Sequence, residues 1–220
     1  MGIFERKERE KEHRKTEILE AAQKVFFEKG LLLATMDDIA EAAELSKGTL
    51  YLYYKSKEDL YLAVMMVGTQ KLQEMFQVVA DSGDNTLEKI VKIGEAYKEF
   101  YIQYPNYFRM FHFFQIPHFH KQVSQEMRDT CSLEHKKLWD LVIGLFQLAI
   151  DQKLIHSEYK PTELAIILWS SATALLLRID NEHDVWKERM QIDLHETLKL
   201  SNSLLWRSML TEKGKKKLQM

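Results

Sequence analysis

The chain has 220 residues, 45% of them hydrophobic and 29% charged, and a net charge of −2. That balance excludes an intrinsically disordered chain, and 3 prolines with 8 glycines leave too few interruptions for a many-turned sheet protein. The fold class expected is all-α. Residues 1–66 carry 11 Lys+Arg against 13 Asp+Glu, so no basic domain is present and any anionic partner must meet a local basic face.

The lone Cys131 has no intramolecular disulfide partner, and Met1 to Lys15 is a mixed-charge run without the apolar centre of a secretory signal. A cytoplasmic location is expected. The run Leu164 to Leu177 contains Ser170, Ser171 and Thr173 and falls short of the roughly 20 residues a bilayer requires, so it reads as a buried helix and no membrane partner is expected.

In chain order, Ile18, Leu19, Ala22, Val25 and Phe26 recur at helical spacing and predict a helix over 12–29 that stops at Lys29-Gly30. Thr35 ahead of Met36-Asp37-Asp38 supplies an N-cap hydroxyl and a short capping box for a second helix running to about Ala43. Ser46 caps a third helix, Lys47 to about Tyr54, and Ser56 caps a fourth that runs from Lys57 to about Val79 before the Ser82-Gly83-Asp84-Asn85 loop. Beyond it, Thr86 is expected to cap a helix to about Gln103, and Pro105 opens a shorter one. Further helices are expected over 122–152, 161–181 and 184–211, with a break near Asn181-Glu182-His183, followed by a solvated basic tail at 213–220.

Residues 35–54, TMDDIAEAAELSKGTLYLYY, have what a helix-turn-helix needs. Ala40 is small where the helices cross, Ile39, Leu45 and Leu50 form the apolar wedge, and the second helix offers Lys47, Gly48, Thr49, Tyr51 and Tyr53 outward. Hydroxyls and an ammonium suit phosphate oxygens, and glycine allows close backbone approach to a duplex. The same spacing also describes an ordinary helical hairpin in a core.

Between residues 100 and 119 nine of twenty positions are aromatic, which is core material or, with the polar tips of Tyr101, Tyr104, Tyr107 and His112, a ligand pocket. The helices over 161–181 and 184–211 are apolar on more than one side, which calls for burial on two faces, either in a thick monomer core or against a second copy. No phosphate loop, nucleophile elbow, HExxH or dinucleotide fingerprint occurs, so no enzyme and no cofactor are expected. His112, His118 and His120 with Glu126 could ligate a metal; eight histidines scattered through the chain make coincidence the simpler account, and no metal is expected.

The stretch from Ile18 to Leu60, with ILEAAQKVFFEKG, TMDDIAEAA and SKGTLYLYYKSKEDL in order, resembles the DNA-binding domain of TetR-family transcriptional regulators. The resemblance implies an N-terminal three-helix helix-turn-helix domain over 12–58 and a larger helical ligand-binding and dimerisation domain over 59–212. It implies that Thr35, Tyr53 and Lys57 hold phosphates, that Ser46 opens the recognition helix, and that Lys47, Gly48, Thr49 and Tyr51 approach bases or backbone in the major groove. The partners implied are double-stranded operator DNA, a second copy as homodimer and a small-molecule effector, whose binding would shift the fourth helix and change the separation of two recognition helices. For the pocket we expect Tyr101, Tyr104, Phe108, Phe111, His112, Trp139 and Trp169; for the dimer interface, Leu168, Ala172, Leu175, Leu176, Leu198 and Leu205. One departure stands out: the turn position usually held by glycine is Glu44, and a positive φ there would cost roughly 1 kcal/mol.

Overall fold

A computed structural model describes residues 3–113 and 119–218, apart from the side chains of residues 3, 4, 112, 113 and 120. α1 (Ile3–Leu33) starts well before the expected residue 12 because Glu, Lys and Arg at helical spacing continue its ladder outward. It kinks at Gly30, where φ is 69°, a value that costs glycine nothing. α2 (Met36–Ala42), α3 (Lys47–Tyr53) and α4 (Lys57–Ala80) follow, then α5 (Thr86–Gln103) and α6 (Pro105–Phe113). After a 3-10 turn at Phe119–Lys121 come α7 (Gln125–Asp151), α8 (Pro161–Met190), α9 (Leu194–Met209) and α10 (Glu212–Lys217). Among the described residues there is no strand, only one isolated bridge between Ile155 and Leu210.

Three further boundaries differ from expectation. α8 runs straight through Asn181-Glu182-His183, because Glu182 accepts hydrogen bonds from Arg178 and Trp186, each one turn away, and no Gly or Pro intervenes. The break comes at Gln191, in the left-handed region at φ 54°, and Asp193 caps α9 by accepting from the His195 and Glu196 amides. At α5 the cap is Asn85, which accepts from the Leu87 and Glu88 amides, while Thr86 turns inward to donate to Gln152. Residues 213–217 are helical and not frayed, though Lys213, Lys216 and Lys217 are exposed: Thr211 caps α10, and Gly214 packs so closely on the Leu154 carbonyl that a side chain would collide with it.

The chain forms two compact units. One comprises Met1–Lys71 and Tyr104–His135. Its core gathers Ile18, Phe26, Ile39, Leu50, Leu60 and Phe108. Phe26 and Tyr61 meet edge to face, Tyr107 donates to Gln23 at 2.8 Å, and buried Asp59 accepts from the Ser124 amide at 2.7 Å. Cys131 is buried in this unit, its thiol pushed up to about 11 by burial and by Asp59 and Glu134.

The other unit comprises Leu72–Gln103 and Lys136–Met220. Here α8 packs against α9 and α5, with Ser171 and Ser201 hydroxyls 2.8 Å apart. By length and composition α8 is apolar enough to cross a bilayer, yet Leu164, Ala165, Leu176 and Ile179 are buried inside the unit.

Candidate nucleic-acid interface and ligand cavity

Local hydrogen bonds set the geometry of the helix-turn-helix. Thr35 caps α2: its hydroxyl accepts from the Asp38 amide at 3.1 Å and donates to the Asp38 carboxylate at 2.8 Å, and the Thr35 amide donates to the same carboxylate at 2.9 Å. Lys29 reaches the other Asp38 oxygen at 2.8 Å, and with Thr35 it holds this carboxyl down at about 2. In the turn Glu44 does take a positive φ, 54°, while Leu45 donates to the Ala40 carbonyl. Ser46 caps α3, accepting from the Thr49 amide at 3.1 Å, and its hydroxyl lies 2.8 Å from that of Thr49.

Leu50 is fully buried and fixes the rotation of α3, which leaves Lys47, Gly48, Tyr51 and Leu52 facing solvent. Lys47 pairs with Asp37 at 2.8 Å. Beside Gly48 a side chain would meet only the Ser46 hydroxyl, at 3.8 Å, so nothing within the molecule requires a glycine there. Leu52, 83% exposed, was missed by sequence reading, which follows polar groups and passes over an apolar one that faces outward. Lys57, expected to hold a phosphate, is already engaged: its ammonium donates to the Leu31 and Ala34 carbonyls at 2.7 and 2.9 Å, closing the end of α1 and leaving one of its three hydrogens.

The second unit encloses a cavity of about 560 Å³. Its walls are Phe76 of α4, Ile93 and Tyr97 of α5, Val142 and Phe146 of α7, Trp169 and Leu176 of α8, Leu198 and Trp206 of α9, and Leu218. Tyr97 stacks on Trp169 with ring centres 4.2 Å apart and shares a 2.7 Å hydrogen bond with Thr173. Burial pushes the Tyr97 phenol far above its usual range, so it stays neutral. Charges are confined to a rim formed by Glu95 and Lys98 of α5 and His195 and Lys199 of α9. Lys199 pairs with Glu196, whereas Lys98 has no ion pair among the described residues.

The residues expected in the pocket divide. Trp169 is in the wall, and Trp139 lies 5.5 Å behind it, ring to ring. Tyr101 is half-buried on α5 outside the lining. Tyr104, Phe108 and Phe111 belong to the first unit, where the aromatic run serves as core: Tyr107 packs on Phe27 and Tyr104, and Phe119 on Tyr61. The His112 side chain, and His118 and His120 with it, lie outside the described residues. Glu126 stands 3.7 Å from Lys55, and among the described residues no group of three His, Cys, Asp or Glu is placed to hold a metal.

Of the residues expected at a dimer interface, Leu168, Ala172, Leu176 and Leu198 turn inward to the cavity, and Leu175 and Leu205 are half-buried. Apolar groups that face out on the same helices include Ile166, Ile167, Val185 and Met190 of α8 and Leu200 and Leu204 of α9. A helix that is apolar most of the way round carries no phase in its sequence, so spacing alone does not separate the cavity-facing positions from the outward ones.

The family model for bacterial regulatory proteins, tetR family, matches residues 18–64, the segment that builds this motif. Over residues 18–64 the chain has the DNA-binding segment of the tetR family. It is 43% identical over 58 residues to the uncharacterized HTH-type transcriptional regulator YfiR of Bacillus subtilis, a match covering 26% of this chain and 28% of that one. With the HTH-type transcriptional repressor KstR2 of Mycolicibacterium smegmatis it shares 25% identity over 176 residues, 71% of this chain and 78% of KstR2. The fold is that of Bacillus subtilis FadR, a transcriptional regulator solved in complex with stearoyl-CoA: TM-score 0.63 and 19% identity, covering 86% of this chain and 95% of FadR. These curated relatives are named as transcriptional regulators, not enzymes.

Proposed function

We propose that this protein is a cytoplasmic DNA-binding transcriptional repressor that docks as a homodimer on operator DNA and is controlled by a small hydrophobic or aromatic effector. The observation that carries the reading is the outward face of α3. Two capped helices hold Lys47, Gly48, Tyr51 and Leu52 in solvent while Leu50 locks the helix from behind. An ammonium, a phenol, a bare backbone and one apolar side chain on a single exposed turn suit phosphates, base edges and a thymine methyl in a major groove.

The effector reading rests on the cavity of the second unit, whose uncharged aromatic wall fits an apolar body and whose rim offers Lys98 to an anionic end. An acyl chain with an acidic head has that shape, and FadR, of the same fold, was solved with stearoyl-CoA. Dimerisation would cover Ile166, Ile167, Leu200 and Leu204 in a two-fold bundle. Half-sites about 34 Å apart would then bind both α3 helices at once, and a small change in their separation lowers affinity.

Fluorescence anisotropy against the DNA upstream of its own gene, with a salt series and scrambled competitor, tests the first part. Sequence-selective, salt-sensitive binding by a dimer is expected, and replacing Lys47 and Tyr51 together by alanine lowers affinity on the order of 30- to 1,000-fold without changing the melting temperature. Unchanged binding in that variant would remove α3 as the reading surface. For the cavity, stearoyl-CoA and aromatic acids are titrated while the fluorescence of Trp169 and Trp206 is followed, and Ala172→Phe is expected to abolish both the quench and any release from DNA.

A further inference from the structure

We infer that the N-terminal half of α1 is a second DNA contact, a cationic face that grips the phosphate backbone flanking the half-site read by α3; this rests on the DNA-binding reading above. Residues 5–14 are all exposed, so this part of the helix gains nothing from packing and is carried as a continuation of the turns anchored by Ile18, Ala22 and Val25. Its charges are not evenly shared out. Glu10 pairs with Arg6 at 2.9 Å, Glu12 with Lys15 at 2.9 Å, and Glu17 with Arg14 at 2.9 Å. Lys7 and Lys11 have no ion pair among the described residues, and they stand one helical turn apart, a like-charge arrangement that an isolated helix disfavours.

Position along the helix gives this charge a direction. Lys7, Lys11 and Arg14 fall at the same i, i+4, i+7 phase as Ile18 and Val25, the face that packs onto the helix-turn-helix further down. Their side chains therefore project on the side of α3 and not away from it. Arg6, Lys7, Lys11 and Arg14 line one shallow groove together with Tyr53, the last residue of α3, and Glu10 is its sole acid. Through Tyr53 the groove adjoins the C-terminal end of α3. From Lys7 to Arg14 the helix rises about 10 Å, the axial length of about three phosphates on one strand. A phosphate backbone both matches the groove in charge and relieves the Lys7–Lys11 repulsion.

The experiment uses the full chain and measures operator affinity by anisotropy between 50 and 300 mM salt, on a duplex ending at the half-sites and on one extended at both ends. Lys7→Gln with Lys11→Gln removes two cations per subunit, four per dimer, and the slope of log affinity against log salt is expected to shrink by about 3 to 4. Affinity should fall equally on operator and scrambled DNA, and the advantage of the extended duplex should disappear. Glu10→Gln, which frees Arg6, should act in the opposite direction and steepen the slope. Unchanged slope and unchanged preference for the longer duplex, in a wild type that binds its operator selectively, would overturn this contact alone. A wild type that binds no DNA would overturn it together with the regulator reading.

Discussion

In both units polar side chains tie backbone, as Lys89 and Thr211 do in the second, but the second also keeps an apolar volume of about 560 Å³ beside a buried hydroxyl pair. Lys57 closes the end of α1, Asp59 and Ser56 reach the Ser124 amide and the Gln122 carbonyl, and Thr35 and Ser46 cap the two helices of the motif. A surface that reads another molecule has to hold side chains in fixed positions, and short helices cannot do so from propensity alone. A cavity has the opposite requirement: its wall must be satisfied internally so that the space can stay open, as Tyr97 and Thr173 are by each other.

The largest expected effect that sharpens this contrast is Leu50→Ala. Removing a fully buried side chain behind α3 should cost about 3 kcal/mol in denaturant unfolding and abolish DNA binding through loss of the motif. Lys57→Met comes next, at about 2 kcal/mol, because two carbonyls lose a charged donor. A variant of Lys57 that lost DNA affinity with full stability would show that its free hydrogen matters more than its tie to α1.

In the second unit Tyr97→Phe leaves the Thr173 hydroxyl buried without its partner and should cost about 1 to 2 kcal/mol, while Tyr97→Phe with Thr173→Val should return close to the wild-type melting temperature. Two costly single substitutions that simply add would break the comparison. Glu44→Gly relieves a positive φ and is expected to stabilise by about 0.5 to 1 kcal/mol, read as a raised denaturation midpoint.

The smallest effect is a pH dependence at the cap of α2. Asp38 titrates at about 2 when folded, below its ordinary 3.8, because Lys29 and Thr35 favour the carboxylate. Its contribution is therefore complete above about pH 4 and fades as pH falls through 2. Lys29→Ala should bring the Asp38 titration, followed by NMR, back toward its ordinary range.

What the sequence by itself determined about this protein is the motif. Thr35 with Asp38, Ser46 with Thr49, and the apolar positions Ile39 and Leu50 act over three or four residues, so their spacing states the helices and their caps; of the residues expected on the outer face of α3, Lys47, Gly48 and Tyr51 are exposed, Thr49 and Tyr53 are half-buried, and Leu52 joins the exposed set. The positive φ at Glu44 was expected only through the family resemblance, which puts glycine at that turn position.

The tertiary structure decided the rest, because it depended on which distant segments meet. The aromatic run from Phe100 to Phe119 is split between the units after Gln103; Pro105 marks a helix break there but not a change of unit, and Tyr107, Phe108 and Phe119 became core of the first unit. α8 and α9 are apolar on several sides, and only their packing turned Leu176 and Leu198 to the cavity and left Ile167 and Leu204 outside. Leu218 came into the cavity wall through the docking of Gly214 on Leu154, a contact between residues sixty positions apart. Periodicity records that a side chain is to be buried; only the assembled neighbours define what it is buried against.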